Sequence, residues 1–148
     1  MLASQIHTNL TTIVEDQAKI FSEKYIATPL SNIETLAHCD TIYLEGIPVE
    51  KKMAFLLREV ERNRELGWLR GIYGDKSGFL WYTDGRSKSG KKKEWVQMAL
   101  KGQSDITPPH TSGRDYIIYK TAVPIFDEDK RVIGIIGVNT MLRKCQKI

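Results

Sequence analysis

From Leu2 onward the apolar residues Ile6, Leu10, Ile13, Val14, Ala18, Phe21, Tyr25 and Ile26 recur mostly at spacings of three and four. Gln17, Lys19, Glu23 and Lys24 fill much of the remainder. One apolar stripe of that period predicts a long amphipathic helix. Pro29 has no amide hydrogen, so the helix is expected to kink near Thr28–Pro29. The stripe resumes at Leu30, Ile33, Leu36 and Ala37, with Ser31 and Glu34 at capping-box spacing, and the helical path is expected to end near Cys39. A further helix is predicted from about Pro48 to Leu66. Pro48 suits a first turn, Met53, Leu56, Leu57 and Val60 form the buried face, and Gly67 terminates it.

Beyond Gly67 the period changes. Trp68–Tyr73 and Phe79–Thr83 read as a hairpin around the turn Asp75-Lys76-Ser77-Gly78. A polar loop over 84–92 precedes a short helix over Lys93–Lys101, which ends at Gly102. Thr107, Pro108 and Pro109 are extended by constraint. Tyr116–Ile125 is rich in β-branched and aromatic residues and reads as a strand, followed by a turn at Asp127–Lys130. Val132–Met141 is mostly apolar and reads as a central strand buried on both faces. Helices followed by an antiparallel sheet of about five strands make an α+β domain, with a helical region over 1–66 and a sheet region over 67–148 of one domain.

Length and composition fit this reading. The chain has 148 residues, 41% hydrophobic and 27% charged, which is the size and composition of one globular domain. The formal charge of +4 is concentrated in Lys88–Lys93 and Arg143–Lys147. With no helix-turn-helix, zinc or RNA-recognition signature beside them, these short basic runs do not point to nucleic acid. Cys39 and Cys145 form no CxxC pair, and His7, His38 and His110 are scattered, so no metal site is expected. No nucleophile elbow, Walker loop or HExxH motif is present, so no catalytic residue is assigned and no enzymatic activity is expected. The first helix begins without a cap, and the last strand runs into the basic Arg143-Lys144-Cys145-Gln146-Lys147. Both ends look cut. A domain excised from between two membrane spans is expected to have such ends.

The order of motifs in the second half resembles the Cache domain family. Tyr73-Gly74-Asp75-Lys76-Ser77-Gly78-Phe79 is similar to its hairpin, and Glu94-Trp95-Val96-Gln97-Met98-Ala99-Leu100-Lys101-Gly102 to its Trp-bearing helix. Ile106-Thr107-Pro108-Pro109 is similar to its extended segment. Ala122-Val123-Pro124-Ile125-Phe126-Asp127 and Val132-Ile133-Gly134-Ile135-Ile136-Gly137-Val138-Asn139 resemble its last two strands. The resemblance spans 68–141, and a long leading helix is also expected of the family. It implies a PAS-like extracytoplasmic sensor at the cell membrane. Such domains sit between two membrane spans of a chemoreceptor, histidine kinase or diguanylate cyclase. The sheet binds a small molecule on one face, and the long helix forms a homodimer. No cofactor is implied.

The resemblance also implies a site. In amino-acid-sensing members the helix carries Arg-x-Trp-Tyr and the last strand an Asp. Here Lys93 stands for the Arg, Val96 for the Tyr and Asn139 for the Asp. Lys93 can hold a carboxylate only as a point charge, and Asn139 cannot neutralise an ammonium, so a small carboxylate, another neutral or anionic metabolite, or no ligand at all fits better than an α-amino acid. Trp95 either walls the ligand or packs the helix onto the sheet. Strand alternation places Trp81 and Thr83 on one face and Tyr82 on the other, and leaves open which faces the ligand. The same holds for Tyr116 and Ile118 against the intervening residues. Thr107 belongs to the extended segment, and His110 and Arg114 are expected in a loop that acts as a lid. The leading expectation is a ligand-sensing input domain; a ligand-free dimerisation or partner-binding module is the alternative.

Overall fold

The hairpin turn shows how local chemistry starts the sheet. The Asp75 carboxylate accepts hydrogen bonds from the backbone N–H groups of Ser77 (2.9 Å) and Phe79 (3.1 Å). These bonds fold the chain back between β1 (Trp68–Asp75) and β2 (Phe79–Tyr82). Asp127 does the same between the two longest strands. Its carboxylate accepts from the N–H groups of Asp129 (2.9 Å) and Arg131 (2.8 Å). This turn joins β6 (Tyr116–Phe126) to β7 (Val132–Lys144).

The computed structural model describes residues 27–112 and 116–144. Among the described residues, those from Ile33 onward form one compact unit, and 27–32 belong to a second. Helix α1 (Ala27–Ala37) crosses that boundary. The long helix expected before it, and its kink, depend on residues outside the described ones; Pro29 itself falls in the first described turn of α1. A one-turn helix α2 (Asp40–Tyr43) follows, which the apolar stripe did not indicate. Helix α3 (Val49–Arg62) begins after Pro48, continues as a 3-10 turn at Arg64–Leu66, and stops at Gly67. Gly67 has φ +91°, the left-handed conformation that glycine adopts without strain.

The remaining strands are β3 (Ser87–Ser89), β4 (Asp105–Ile106) and β5 (His110–Ser112), and helix α4 (Glu94–Leu100) lies between β3 and β4. All pairings are antiparallel, in the order β3-β2-β1-β7-β6-β4, with β5 also on β6. The described residues thus hold a seven-stranded sheet and four α-helices, the α+β architecture expected, with more strands than the five anticipated. The extra strands are two or three residues long, too short to show a period of two, and Ser87, Lys88 and Ser89 are all exposed. His110 therefore stands on an edge strand and not in a loop, because it pairs with Ile118 of β6. Arg114 lies outside the described residues.

Each face of the sheet has its own cover. On one face Ile72, Leu80, Tyr82, Ala122 and Ile135 form a buried cluster with Trp95, Val96 and Ala99 of α4. On the other face α3 packs over β1. A Cβ at Gly71 would stand 2.5 Å from Cγ of Leu56, so only glycine admits α3 at this distance. β7 lies between β1 and β6 and is covered on both sides, so Gly134 through Thr140 are all buried. The buried side of α3 consists of Leu56, Val60 and Lys52, whereas Leu57, expected inside, is 37% exposed.

Candidate ligand-binding site

The α4 side of the sheet gathers most of the candidate residues. In an antiparallel ladder, directly paired residues point to the same face. Arg70 of β1 pairs with Asn139 of β7, and Asn139 with Lys120 of β6. Two residues further along, Ile72, Gly137 and Ala122 are paired in the same way. Since Ile72 and Ala122 pack against α4, the row Arg70–Asn139–Lys120 also lies on the α4 side.

Trp95 occupies the first turn of α4 and is 7% exposed. The Lys120 ammonium stands 4.4 Å from its ring centroid, a cation–π contact with the indole. Trp95 therefore packs the helix onto the sheet and also presents a face to a cation. Burial pushes the Lys120 ammonium down to about 8, and the like charges of Lys93, Lys88 and Arg70 push in the same direction. Lys93 immediately precedes α4 and is half-buried. Lys88 and Arg86 stand over the Tyr82 ring at 5.5 and 5.0 Å. Five cations thus gather on this side of the sheet. Asp84 lies 3.7 Å from Arg70 and 2.9 Å from Nε of Arg86. Burial works against its charged form, but hydrogen bonds from Arg86 and the Arg86 and Arg70 charges outweigh this and hold it below the usual carboxylate range.

Asn139 is 5% exposed, and its Oδ1 has no hydrogen-bond partner. Thr107 uses its hydroxyl to fix a neighbour. Its Oγ1 accepts from the Lys120 N–H at 2.9 Å, and its own N–H donates to the Lys120 carbonyl at 2.8 Å. It positions Lys120 through the backbone. Ile118 (4% exposed) shares the face of Lys120, beside exposed His110, whose Nδ1 is 3.1 Å from the Pro108 carbonyl. Tyr116 is half-buried at the start of β6.

Trp81 and Thr83 lie on the opposite face. The Trp81 ring packs against Tyr73 and Phe79, with centroids 5.8 and 4.8 Å apart. The Thr83 hydroxyl accepts from the Gly71 N–H at 3.0 Å. Tyr82 is the member of β2 that faces α4. Lys120 and Arg70 did not come from the motifs. Their signal in the sequence is a single cation inside an otherwise apolar strand, in Tyr116–Ile125 and in Trp68–Tyr73.

On the α3 side, a cavity of about 410 Å³ is lined by Ile42, Tyr43, Lys52, Tyr73, Ile125 and Ile133 among others. Lys52 is 3% exposed and donates to the carbonyls of Ile42 and Leu44 (2.9 Å to the latter). Its ammonium ties the end of α2 to α3. Among the described residues no group of three His, Cys, Asp or Glu is placed to hold a metal ion, and no helix is long and apolar enough to cross a membrane.

The Lys120 environment has a measurable consequence. Its folded value lies below the ordinary 10.5, so charging Lys120 opposes folding. The penalty is fully present below about pH 8 and is relieved as pH rises towards about 10.5. Lys120→Met is therefore expected to melt higher than the unsubstituted domain at pH 7, with the difference shrinking by pH 9.5. Thermal melts of both proteins across that range check it, and a constant difference would contradict it.

No protein-family model and no curated protein sequence matches the chain. Solved structures share its fold. The ligand-binding domain of the Campylobacter jejuni chemoreceptor Tlp3, in complex with 4-methylisoleucine, has a TM-score of 0.64 and 18% identity over 93% of this chain and 57% of that one. That of the Pseudomonas aeruginosa amino acid chemoreceptor PctC, in complex with GABA, has a TM-score of 0.68 and 17% identity, covering 91% and 61%. That of the Pseudomonas fluorescens chemoreceptor CtaA, in complex with L-isoleucine, has a TM-score of 0.63 and 14% identity, covering 94% and 59%. The chain spans about three fifths of the length of these domains. Its PAS-like α+β fold, the one the Cache resemblance implies, is that of the ligand-binding domains of chemoreceptors.

Proposed function

We propose that the chain is the ligand-sensing input region of a transmembrane signalling receptor, and that it binds a small carboxylate between α4 and the sheet. The observation that carries this reading is the gathering of cations at Lys120. Lys93, Lys88 and Arg70 bear on its desolvated ammonium, in a row with Asn139. Folding that desolvates like charges is unfavourable by itself, and a bound anion offsets it. The molecules bound in the three similar domains each carry a carboxylate. The proposed contacts are Lys120, Arg70, Lys93, Asn139, Trp95 and Tyr82, with Thr107 positioning Lys120, and with His110, Ile118 and Tyr116 at the margin. Trp81 and Thr83 serve the fold.

In this reading the chain is extracytoplasmic and has no catalysis of its own. The native protein has membrane spans on both sides of the domain, the N-terminal helix forms a homodimer, and the output lies in another domain, as in a chemoreceptor, histidine kinase or diguanylate cyclase. Ligand binding biases one of two states through differential affinity, and the first helix and the last strand transmit it.

A second reading, a ligand-free dimerisation or partner-binding module, is favoured by one observation. Trp95, Tyr82 and Leu80 pack in a single buried cluster, which leaves the indole little free surface. A thermal-shift screen of the chain against carboxylates, amino acids, amines, purines and sugars separates the two. A ligand at 100 times its Kd adds about 2.7 kcal/mol of stability, a shift of several degrees. The sensor reading expects a hit among the carboxylates; a flat screen with a concentration-dependent dimer supports the second.

A further inference from the structure

We infer that the face of the sheet turned away from α4 carries a second small-molecule site, and that it takes an arylalkanoate, an aromatic ring joined by a short chain to one carboxylate. Three observations lead there, none of which involves the α4 side. The first is the cavity beside α2 and α3. At about 410 Å³ it falls within the range of small-molecule pockets. Tyr73 lines it and points away from the side of its neighbour Ile72, which packs with α4. The cavity is therefore separate from the region around Lys120. Ile47, Ile125 and Ile133 and the rings of Tyr43 and Tyr73 supply its walls. An apolar cavity of about 150 Å³ already holds one benzene ring, and aromatic walls add edge or offset-stacked contacts to such a ring.

The second is Lys52. It is 3% exposed and lines the same cavity. An ammonium carries three N–H donors. Among the described residues two oxygens accept from it, the carbonyls of Ile42 and Leu44. It also stands over the Tyr73 ring, 5.5 Å from the centroid. The one acid whose charge bears on it, Glu45, is 3.5 Å from the Lys76 ammonium instead. A buried cation held by carbonyls alone keeps its charge uncompensated, and a carboxylate compensates it.

The third is the state of the acids at the cavity. Glu45, between α2 and α3, and Lys76, in the β1–β2 turn, both line it, and their ion pair joins the two segments. Asp75 lines it too, and its carboxylate is taken up by the N–H groups of Ser77 and Phe79. Both acids are thus engaged by donors, whereas the Lys52 ammonium has no acid of its own. An amine entering the cavity meets a like charge; a carboxylate meets an opposite one.

Isothermal titration of the full chain with hydrocinnamate, its amide, phenethylamine and propionate tests this. Hydrocinnamate is expected to bind tightest. The neutral amide keeps the ring and is expected to bind about tenfold more weakly, propionate lacks the ring and is expected to bind more weakly still, and the amine is expected to give no heat. Lys52→Met keeps the packing of the stem and is expected to bring the acid down to the affinity of the amide. Ile133→Trp fills the cavity, leaves Lys52 and its carbonyl partners in place, and is expected to abolish binding; it decides alone should Lys52→Met fail to fold. Lys120→Met removes a cation of the α4 side and is expected to bind hydrocinnamate as the unsubstituted chain does. Loss of hydrocinnamate in Lys120→Met with retention in Ile133→Trp would place the molecule under α4, overturning the second site and leaving the sensor reading standing. Equal affinity for acid and amide, or tighter binding of the amine, would overturn the role of Lys52 and with it the inference. No heat with hydrocinnamate overturns it as well, and the sensor reading, which rests on Lys120 and its neighbours, is untouched by that result.

Discussion

Leu56→Ala is expected to lower the stability of the domain by about 2–5 kcal/mol, the range for truncating a fully buried leucine in a core that relaxes only partly. Leu56 is 0% exposed on the inner side of α3, and its branch fills the space left by the missing side chain of Gly71. The converse substitution, Gly71→Ala, places a methyl 2.5 Å from Leu56 Cγ and 2.8 Å from Cδ2. Because the obstructing atoms belong to a side chain, overpacking by about 1–3 kcal/mol is expected, not loss of the fold. The two positions share one volume, so their effects are not additive. In the double variant the alanine methyl takes up part of the cavity, and the summed single effects are expected to exceed the double by about 1 kcal/mol or more. Urea unfolding of the three variants measures this. Additivity within a few tenths of a kcal/mol would mean that α3 is not seated on β1 as described.

Trp95→Ala is expected to lower stability by about 3–5 kcal/mol. The indole is 7% exposed and joins α4 to Ile72, Tyr82 and Ala122 across three strands. The same substitution removes the ring beneath the Lys120 ammonium, so anion binding is expected to vanish with it. Loss of binding in that variant does not distinguish a ruined site from a ruined core. Trp95→Phe makes the distinction, because it keeps an aromatic face for Lys120 and most of the buried area, with an expected loss of about 1–2 kcal/mol. Chemical denaturation gives the stability of both variants, and titration of the folded Phe variant gives binding. A loss below about 1 kcal/mol in Trp95→Ala would place the indole outside the core.

The elements with a clear period were legible. The stripe Met53, Leu56, Leu57, Val60 marked α3, and the apolar runs of β6 and β7 marked the two long strands, because burial on one or both faces imposes those spacings. The short edge strands were not legible. Ser87–Ser89 is polar and exposed, and its pairing with β2 is made by the backbone, which carries no side-chain signal. Lys52 was missed for a related reason. Its stem packs like an apolar residue, and its ammonium has somewhere to go only because the chain leaves α2 with the Ile42 and Leu44 carbonyls turned towards α3. Leu57, expected on the buried stripe, is exposed because the face that meets β1 centres on Leu56 and Val60.

The candidate site was partly legible. The resemblance singled out Trp95, Lys93 and Asn139 on motif position, and the structure places all three on or beside the α4 face of the sheet. It did not single out Lys120 or Arg70.

By itself the sequence determined the period of each long element, the turns at Asp75–Gly78 and Asp127–Lys130, and so the helices-then-sheet order. These are short-range effects, set by alternation, by side-chain caps and by backbone freedom within a few residues. Only the tertiary structure decided which face of β2 looks towards α4, and that Arg70, Asn139 and Lys120 form one row. Alternation defines two faces but does not name them. The choice is made when a whole face buries against a helix, and a slip of one residue in register would turn every side chain to the other side. The depressed basicity of Lys120 has the same origin. It depends on desolvation and on charges brought together from β1, β3 and the residue before α4, and that arrangement exists only once those strands are paired.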